Sequence, residues 1–262
     1  FDGVFGAING LAGLVTGTFL DLGHLPRSTW RKIAQTPGSA LGSGRRRPTA
    51  EDIPRALDVL IQQNISFLFA IGGNDSAAVS HSLSLAAQER GQPLKVVCVP
   101  KTVDNDLQET DHAPGYGSAA RFVALATLGA GMDAESMGKV SPITVLELMG
   151  RNSGWIVAAS TLGKREARDP PHVVCPPEIT FDEVRFITQV EEAYRRWGYA
   201  IAVVSENLRH PNGRVGHDAR HPIHVDPFGH EYYQSPGQYL AERLGSQLKV
   251  RVRYEKPGTI QR

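Results

Sequence analysis

Short, mainly apolar runs alternate with longer helical patterns along most of this 262-residue chain. The apolar runs expected to form strands lie at 65–71, 94–99, 143–148, 199–204 and 248–254. The helical patterns lie at 76–90, 117–131, 154–165, 181–197 and 236–247. Near-continuous apolar strands joined by helices are typical of a parallel sheet that is covered on both faces. The sequence therefore predicts an α/β protein, and its length allows two domains.

Composition excludes several classes of protein. Lys and Arg number 28 against 27 Asp and Glu, so the formal net charge of +1 gives no overall field to attract nucleic acid or an anionic membrane. Charged residues at 21% and hydrophobic residues at 41% indicate a folded chain. The two cysteines, Cys98 and Cys175, lie in apolar segments, which predicts buried free thiols in a reducing compartment.

Residues 3–20 carry no charged side chain and approach the length of a membrane span. Five of these eighteen residues are glycine, Asn9 lies near the middle, and no basic residue precedes the run. We therefore predict a buried strand, a glycine turn and a short helix rather than a membrane or signal segment. Because the chain opens on Phe1 directly in apolar sequence and stops abruptly at Arg262, we expect a piece of a longer protein.

The residues that follow the predicted strands are the candidates for a ligand site, because ligands of such sheets bind outside the carboxyl ends of the strands. Segment 100–106 is the richest of them and contains Lys101, Asp104 and Asp106. The two aspartates alternate and face one side of an extended chain. Such a pair suits a divalent cation, a shared proton, or acceptance of a hydroxyl proton during phosphoryl transfer. A turn cluster without chemistry is the alternative interpretation.

Three other loops carry weaker signals. Gly72-Gly73-Asn74-Asp75 opens a helix after a strand, which fits either a phosphate on backbone N–H groups or close packing. Gly42-Ser43-Gly44-Arg45 is similar to an anion-binding loop, and a solvated basic surface is the alternative. The five histidines at 210–230 lack the close spacing of metal ligands and are interpreted as loop residues.

Taken together, these segments resemble the phosphofructokinase family, and more closely its pyrophosphate-dependent branch. The motifs that carry the resemblance are Leu41-Gly42-Ser43-Gly44-Arg45, Gly72-Gly73-Asn74-Asp75, Pro100-Lys101-Thr102-Val103-Asp104-Asn105-Asp106, Gly117-Ser118-Ala119-Ala120, Met149-Gly150-Arg151-Asn152-Ser153-Gly154-Trp155, Ser205-Glu206 and Gly258-Thr259-Ile260-Gln261-Arg262. Their order and spacing agree with the family over nearly the whole chain. The resemblance implies two Rossmann-like parallel-sheet α/β domains with the active site in the cleft between them: residues 1–118 for the donor and 119–262 for the sugar phosphate.

The resemblance also implies a role for each matching residue. Asp104 resembles the base that accepts the proton of the sugar 1-hydroxyl, with Lys101 and Arg151 as its catalytic neighbours. The implied contacts of fructose 6-phosphate are Thr102, Asp106, Met149, Gly150, Arg151, Glu206, Arg253 and Arg262. One of the last two arginines is typically given across a subunit interface. The implied donor contacts are Arg45, Gly73, Asn74, Asp75 and Lys101, and the implied Mg²⁺ ligands are Asn74 and Asp104.

Two positions bear on the phosphoryl donor. ATP-using members of the family resemble Gly-Gly-Asp-Gly and Pro-Gly-Thr, whereas this chain has Asp75 at the last glycine of the first motif and Lys101 at the glycine of the second. A carboxylate at position 75 would repel the α-phosphate of a nucleotide, and Lys101 would stabilise charge on a small pyrophosphate donor. The resemblance therefore favours pyrophosphate over ATP. Asn74 stands where most members have an aspartate, which gives a bound Mg²⁺ less negative charge.

The reaction implied by the resemblance is reversible, Mg²⁺-dependent transfer of a phosphoryl group from pyrophosphate to fructose 6-phosphate in glycolysis. We also expect a cytoplasmic homodimer or homotetramer that binds neither nucleic acid nor a membrane. The first glycine-rich donor loop of the family should precede residue 1, and further family sequence should follow residue 262. A non-catalytic subunit that binds sugar phosphate therefore remains an alternative to an enzyme using pyrophosphate or ATP.

Overall fold

The structure is a computed structural model that describes residues 2–44, 48–216, 222–226 and 231–262. Arg45, one of the predicted donor contacts, lies outside the described residues. The chain forms two compact units, which divide between Val99 and Pro100; residues 225 and 226 also belong to the first unit. The predicted boundary after residue 118 falls inside a helix of the second unit.

The first unit consists of short strand pairs and four helices in its described part. Strands β1 (Phe5–Ala7) and β2 (Phe19–Asp21) pair antiparallel around helix α1 (Leu11–Thr16). Helices α2 (Arg27–Gln35) and α3 (Asp52–Gln62) follow, and strand β3 (Phe67–Gly72), helix α4 (Asn74–Glu89) and strand β4 (Lys95–Pro100) complete the unit. Its core contains Leu14, Ala56, Leu60 and Leu83.

The second unit is built on a four-stranded parallel sheet. Its strands are β5 (Ile143–Leu148), β6 (Val173–Cys175), β7 (Ala200–Ser205) and β12 (Val252–Glu255), in the order β12-β5-β7-β6. The helices are α5 (Tyr116–Met137), α6 (Trp155–Ala159), α7 (Glu183–Trp197) and α8 (Pro236–Leu248). Every residue of β5 and β7 is buried, as the continuous apolar runs predict.

Short elements connect these strands and helices. They are the 3₁₀ helices Gly138–Val140, Ser160–Gly163 and Gly258–Gln261, and the two-residue strands β8 (Arg209–His210), β9 (Gly213–Arg214), β10 (His224–Val225) and β11 (Glu231–Tyr232).

The side chains of the sheet alternate between two helical layers. Val145 and Val204 belong to a core cluster that also contains residues of α7 and α8. Leu146, Leu148 and Val203 belong to a second cluster with residues of α5 and α6. The sheet is therefore covered on both faces, and the predicted α/β fold with a parallel sheet is confirmed. Because all four strands run parallel, their carboxyl ends meet at one edge of the sheet.

One detail of the sequence interpretation is corrected. The thiols were expected to be buried, but Cys98 on β4 is exposed and Cys175 is only partly buried. An apolar run buries its side chains only where another element packs on them, and Ile71 of the paired strand β3 is also exposed. No helix of the described residues is long and apolar enough to cross a membrane.

Candidate active site

The loop after β4 is fixed by its own hydrogen bonds. Thr102 is buried and pairs with Gly115 in an isolated parallel bridge. Its hydroxyl accepts a hydrogen bond from the backbone N–H of Asp104 (3.1 Å) and donates to Oδ1 of Asp106 (3.3 Å). Because Asp104 bonds to the Thr102 hydroxyl through its backbone N–H and Asp106 through its carboxylate, the two aspartates stay close to each other.

Asn105, between the two aspartates, anchors the loop from inside. It is buried and has a left-handed backbone with φ of 53°. Asparagine tolerates this conformation better than most residues. Its side-chain amide donates to the carbonyl of Asp111 (3.1 Å) and accepts from the N–H of Ala113 (2.8 Å). The hydrogen bonds that hold the loop therefore leave the carboxylate of Asp104 unused.

Asp104 carries the least satisfied carboxylate of this loop. Its Oδ1 atom is buried and has no hydrogen-bond partner among the described residues. Burial raises the pKa of the Asp104 carboxyl, and the charge of Asp106 raises it further, whereas Arg151, Arg262 and Lys101 act to lower it. The charges of three cations that the sequence predicts for the site therefore act on a carboxyl group whose pKa is raised by burial.

The loop after β5 places Arg151 beside this carboxylate. Gly150 has φ of 137°, and a Cβ at this position would lie 2.6 Å from the carbonyl oxygen of Ser153, so glycine is required. Arg151 also has a positive φ of 51°. The Ser153 hydroxyl donates to the backbone carbonyl of Asp104 (3.1 Å), which connects the two loops. A non-glycine residue in this strained conformation is common at functional sites.

Glu206 follows β7 and connects to the same loop. Its Oε1 accepts a hydrogen bond from the backbone N–H of Arg151 (3.2 Å), and its own N–H donates to the carbonyl of Leu148 (3.0 Å). Burial raises the pKa of the Glu206 carboxyl. Two carboxylates of raised pKa are thus connected to the loop after β5: Glu206, which follows β7, and Asp104, whose backbone carbonyl accepts from the Ser153 hydroxyl.

The other predicted residues belong to other elements. Arg253, on β12, forms an ion pair with Asp133 of α5, and its Nε and Nη2 atoms are buried without a hydrogen-bond partner in the described part of the chain. Gly73, Asn74 and Asp75 begin helix α4 of the first unit, and the side chains of the last two are exposed. Met149 links the end of β5 to Gly150 and is partly buried.

The sequence interpretation missed two charged residues of this sheet edge. Glu147 is completely buried in β5 and forms an ion pair with Lys256, which directly follows β12 (2.6 Å). A glutamate within an otherwise apolar strand was the signal, because a buried carboxylate needs a cation or several hydrogen-bond donors.

The carboxylate oxygens of Asp104 and Asp106 are compatible with Mg²⁺ as ligands. Asp104 offers an unpartnered carboxylate oxygen, and the carboxylate of Asp106 is adjacent, which is the oxygen chemistry that Mg²⁺ prefers. Among the described residues, no group of three or more His, Cys, Asp or Glu side chains is arranged to hold a metal ion. Since Mg²⁺ usually keeps several water ligands and binds substrate phosphates, one or two carboxylates are sufficient.

Fold and site together define a class of protein. The loop at the carboxyl end of β5, in a parallel α/β sheet, is hydrogen-bonded to the loop of Asp104, a buried carboxylate of raised pKa on which arginine and lysine side chains act. This combination is suited to an enzyme that moves a proton while it stabilises an anionic group, as in phosphoryl transfer.

Comparison with known proteins gives the family. The phosphofructokinase family matches residues 2–262. A pyrophosphate–fructose 6-phosphate 1-phosphotransferase of Rhodospirillum rubrum is 37% identical, with 99% of this chain and 65% of that protein covered. A sulfofructose kinase of Alkalicoccus urumqiensis is also 37% identical, with 79% of this chain and 54% of that protein covered. The chain therefore belongs to the phosphofructokinase family.

A solved structure supports the same conclusion. A pyrophosphate-dependent phosphofructokinase from Nitrosospira multiformis matches with a TM-score of 0.85 at 31% identity and covers 99% of this chain and 61% of that one. The family predicted from the sequence motifs is thus confirmed. The chain spans less than two thirds of the length of these relatives.

Proposed function

We propose that the protein transfers a phosphoryl group from pyrophosphate to the 1-hydroxyl of fructose 6-phosphate, giving fructose 1,6-bisphosphate and phosphate. The observation that carries this proposal is the buried Oδ1 of Asp104, which has no hydrogen-bond partner in the described ranges of the chain, while the charges of Arg151, Arg262 and Lys101 act on the carboxyl group. A hydroxyl group of an acceptor would supply the missing partner. The relative from Rhodospirillum rubrum, named for this reaction, supports the choice of substrates.

In the proposed mechanism, Asp104 accepts the proton of the sugar hydroxyl as the oxygen attacks the phosphorus atom. A new O–P bond forms, the bridging P–O bond of pyrophosphate breaks, and phosphate leaves. Lys101 and Arg151 offset the charge on the transferred group. Glu206 accepts hydrogen bonds from sugar hydroxyls, and its bond with the Arg151 N–H fixes its position. Thr102, Asp106, Met149, Gly150, Arg253 and Arg262 are the further proposed acceptor contacts.

For the donor we propose contacts from Gly73, Asn74, Asp75 and Lys101, together with Arg45, on the strength of the family resemblance. Mg²⁺, with Asn74 and Asp104 as its proposed ligands, would neutralise negative charge on the phosphates when bound. The raised pKa of Asp104 is consistent with a residue that exchanges a proton, because a base that is too weak cannot take one from a hydroxyl group.

The test is a coupled assay of fructose 1,6-bisphosphate formation by the complete protein with Mg²⁺ and fructose 6-phosphate. Pyrophosphate and ATP are supplied in separate reactions. Turnover with pyrophosphate alone is the expected result. Turnover with ATP alone would mean that Asp75 and Lys101 do not select the donor, while the acceptor site proposed here would stand.

Two alternative functions are tested with the same protein preparation. Sulfofructose is the second candidate acceptor, because one relative is named as a sulfofructose kinase, and the assay includes it beside fructose 6-phosphate. A non-catalytic sugar-phosphate-binding subunit would bind fructose 6-phosphate in calorimetric titration without turnover from either donor.

We further propose that the protein acts in the cytoplasm as a homodimer or homotetramer. This follows the family resemblance, and sedimentation equilibrium of the complete protein measures the oligomeric state. A monomer that turns over at the full rate would contradict the proposed contribution of an arginine from a neighbouring subunit.

A further inference from the structure

A buried carboxylate lies at the centre of the second unit, where the proposed reaction gives it no role. Glu147 occupies the fifth position of β5 and is completely buried. Its Oε2 accepts hydrogen bonds from the Gly237 N–H (2.8 Å) and the Ser235 hydroxyl, both at the beginning of α8. Such a close approach requires glycine at position 237, where a Cβ would lie 2.9 Å from this same oxygen. Glu147 is therefore held firmly by the fold.

The other carboxylate oxygen of Glu147, Oε1, forms an ion pair with Lys256. Lys256 Nζ lies 2.6 Å from Oε1, and its side chain is 42% exposed. Burial acts to lower the pKa of Lys256, but the attraction and hydrogen bond of Glu147 outweigh it, so the pKa lies above its ordinary value. The ammonium group is thus charged, and the buried carboxylate decides where that charge is placed.

Strand register brings this ammonium group towards Glu206. Glu255 of β12 pairs with Leu146 of β5, so Lys256 is level with Glu147, and Glu147 pairs with Val204 of β7. Neighbouring strands lie about 4.8 Å apart. Because Lys256 reaches across to Glu147, its charge lies at β5 and level with Val204 of the neighbouring strand β7, two residues before Glu206.

The charges around Glu206 act in opposite directions. Burial raises the pKa of its carboxyl; the Arg151 N–H and the Lys256 ammonium act to lower it, while Asp104 and Glu147 act to raise it. Among these groups, Lys256 is the one whose side-chain cation counteracts burial. A neutral Glu206 would offer one fewer acceptor oxygen to sugar hydroxyls than a carboxylate.

We propose that Lys256, fixed by the buried carboxylate of Glu147, is a positioning residue of the acceptor site that keeps Glu206 charged for binding sugar hydroxyls. The proposal rests on the function proposed above and adds a residue that the sequence motifs do not contain. Lys256 acts through Glu206 and takes no part in phosphoryl transfer itself. Its loss therefore weakens acceptor binding and leaves the chemical step intact.

The first variant is Lys256→Met in the complete protein. We expect the KM for fructose 6-phosphate, measured as a function of pH, to begin rising on acidification at a higher pH than in the parent, with a difference of about 3- to 10-fold within that window, as for the loss of a partly buried charge pair. The kcat and the KM for pyrophosphate stay unchanged. In ¹³C NMR titration of labelled glutamate, assigned with Glu206→Gln, the Glu206 signal titrates at higher pH than in the parent. The exposed lysine variant Lys139→Met is the matched control and changes none of these readouts.

A second variant separates this effect from loss of folding. Lys256→Met alone leaves the Glu147 charge buried without its cation, which lowers thermal stability. The double variant Glu147→Gln/Lys256→Met removes both charges and restores stability. Its KM stays above that of the parent, and Glu206 still titrates at higher pH, although by less, because removal of the Glu147 charge has a weaker effect in the opposite direction.

Two outcomes would overturn the proposal. If the double variant recovers the parent KM together with its stability, the ion pair is only structural. If Glu206 titrates at the same pH in parent and Lys256→Met, the lysine does not control its charge. A complete protein that neither binds nor phosphorylates fructose 6-phosphate contradicts the proposed function instead, and the NMR titration then decides the Lys256–Glu206 interaction separately.

Discussion

At the scale of single residues, the proposed base, Asp104, gives the most specific prediction for the site. Asp104→Asn keeps the size of the side chain and removes its ability to accept a proton. A positioned general base contributes roughly 10²- to 10⁴-fold to rate, so we expect kcat to fall by that factor. The KM for fructose 6-phosphate changes little, because the Thr102 and Asn105 hydrogen bonds that fix the loop do not use this carboxylate. Steady-state kinetics of the coupled reaction measure both parameters.

The control for this variant is Asp111→Asn, a change of an exposed aspartate in the same loop region. The Asp111 backbone carbonyl accepts a hydrogen bond from the Asn105 side-chain amide, and this bond does not depend on the side chain of Asp111. Near-parent kcat in Asp111→Asn and a large loss in Asp104→Asn support the assignment. Near-parent turnover in Asp104→Asn would require another base.

Single residues also show which parts of the candidate site could be predicted from the sequence and which could not. Asp104, Arg151 and Glu206 could be predicted because each directly follows an apolar strand, and ligands of parallel sheets bind there. Glu147 and Lys256 were not selected, since one lies inside a strand and the other has no motif around it. Their connection depends on strands β5 and β12 being neighbours, and this order is a property of the tertiary fold.

At the scale of elements, the junction between β6 and β7 depends on a histidine. The His172 backbone N–H donates to the carbonyl of Ile201 (2.8 Å), and its Nδ1 accepts from the N–H of the same residue (3.0 Å). Nδ1 is therefore unprotonated, and Nε2 donates to the carbonyl of Arg168 (3.1 Å). Burial lowers the pKa of His172 below its ordinary value of about 6.5.

The sign of the pH effect follows from this lowered pKa. The unfolded chain binds a proton on His172 more readily than the folded chain does. The stabilisation is fully present above pH of about 6.5 and is lost as pH falls towards the lower pKa of the folded state. We expect the free energy of unfolding to decrease over this range, and to decrease less steeply in His172→Asn, in which an amide oxygen replaces the accepting Nδ1. Denaturant unfolding at several pH values measures the slope.

The control here is His81→Asn, which changes an exposed histidine on helix α4. It retains the pH slope of the parent. An equal slope in His172→Asn and the parent would show that the histidine is not the group responsible.

Elements were predicted best where burial is continuous. The apolar run at 143–148 coincides with β5, because a strand buried on both faces leaves a clear signal. Strand β6 was not predicted, since three residues bounded by prolines give too short a pattern, and it forms by pairing with β7. Helix α2 was also missed; its sequence is mainly polar and, although Trp30 and Ile33 lie on one side, none of its residues is buried.

At the scale of the whole molecule, the two residues that we propose to select the donor belong to different compact units. Asp75 lies in the first turn of α4 in the first unit, and Lys101 begins the loop after β4 in the second. Under the proposed function, the carboxylate would repel a nucleotide phosphate, and the lysine would stabilise charge on a small donor. Replacing either residue alone removes only one of these effects. The two changes therefore have to be made together.

We expect Asp75→Gly/Lys101→Gly to use ATP, whereas turnover with pyrophosphate falls roughly 100-fold, as for the loss of a group that stabilises transition-state charge. The measurement is the ratio of kcat/KM for the two donors in the complete protein. The exposed pair Asp111→Gly/Lys139→Gly controls for the loss of one acidic and one basic residue and keeps the parent ratio. If the double variant admits no ATP although it still binds fructose 6-phosphate, the donor is selected by residues other than these two. Retained binding of the acceptor separates that outcome from a general loss of structure, because acceptor contacts such as Arg151 and Glu206 are unchanged.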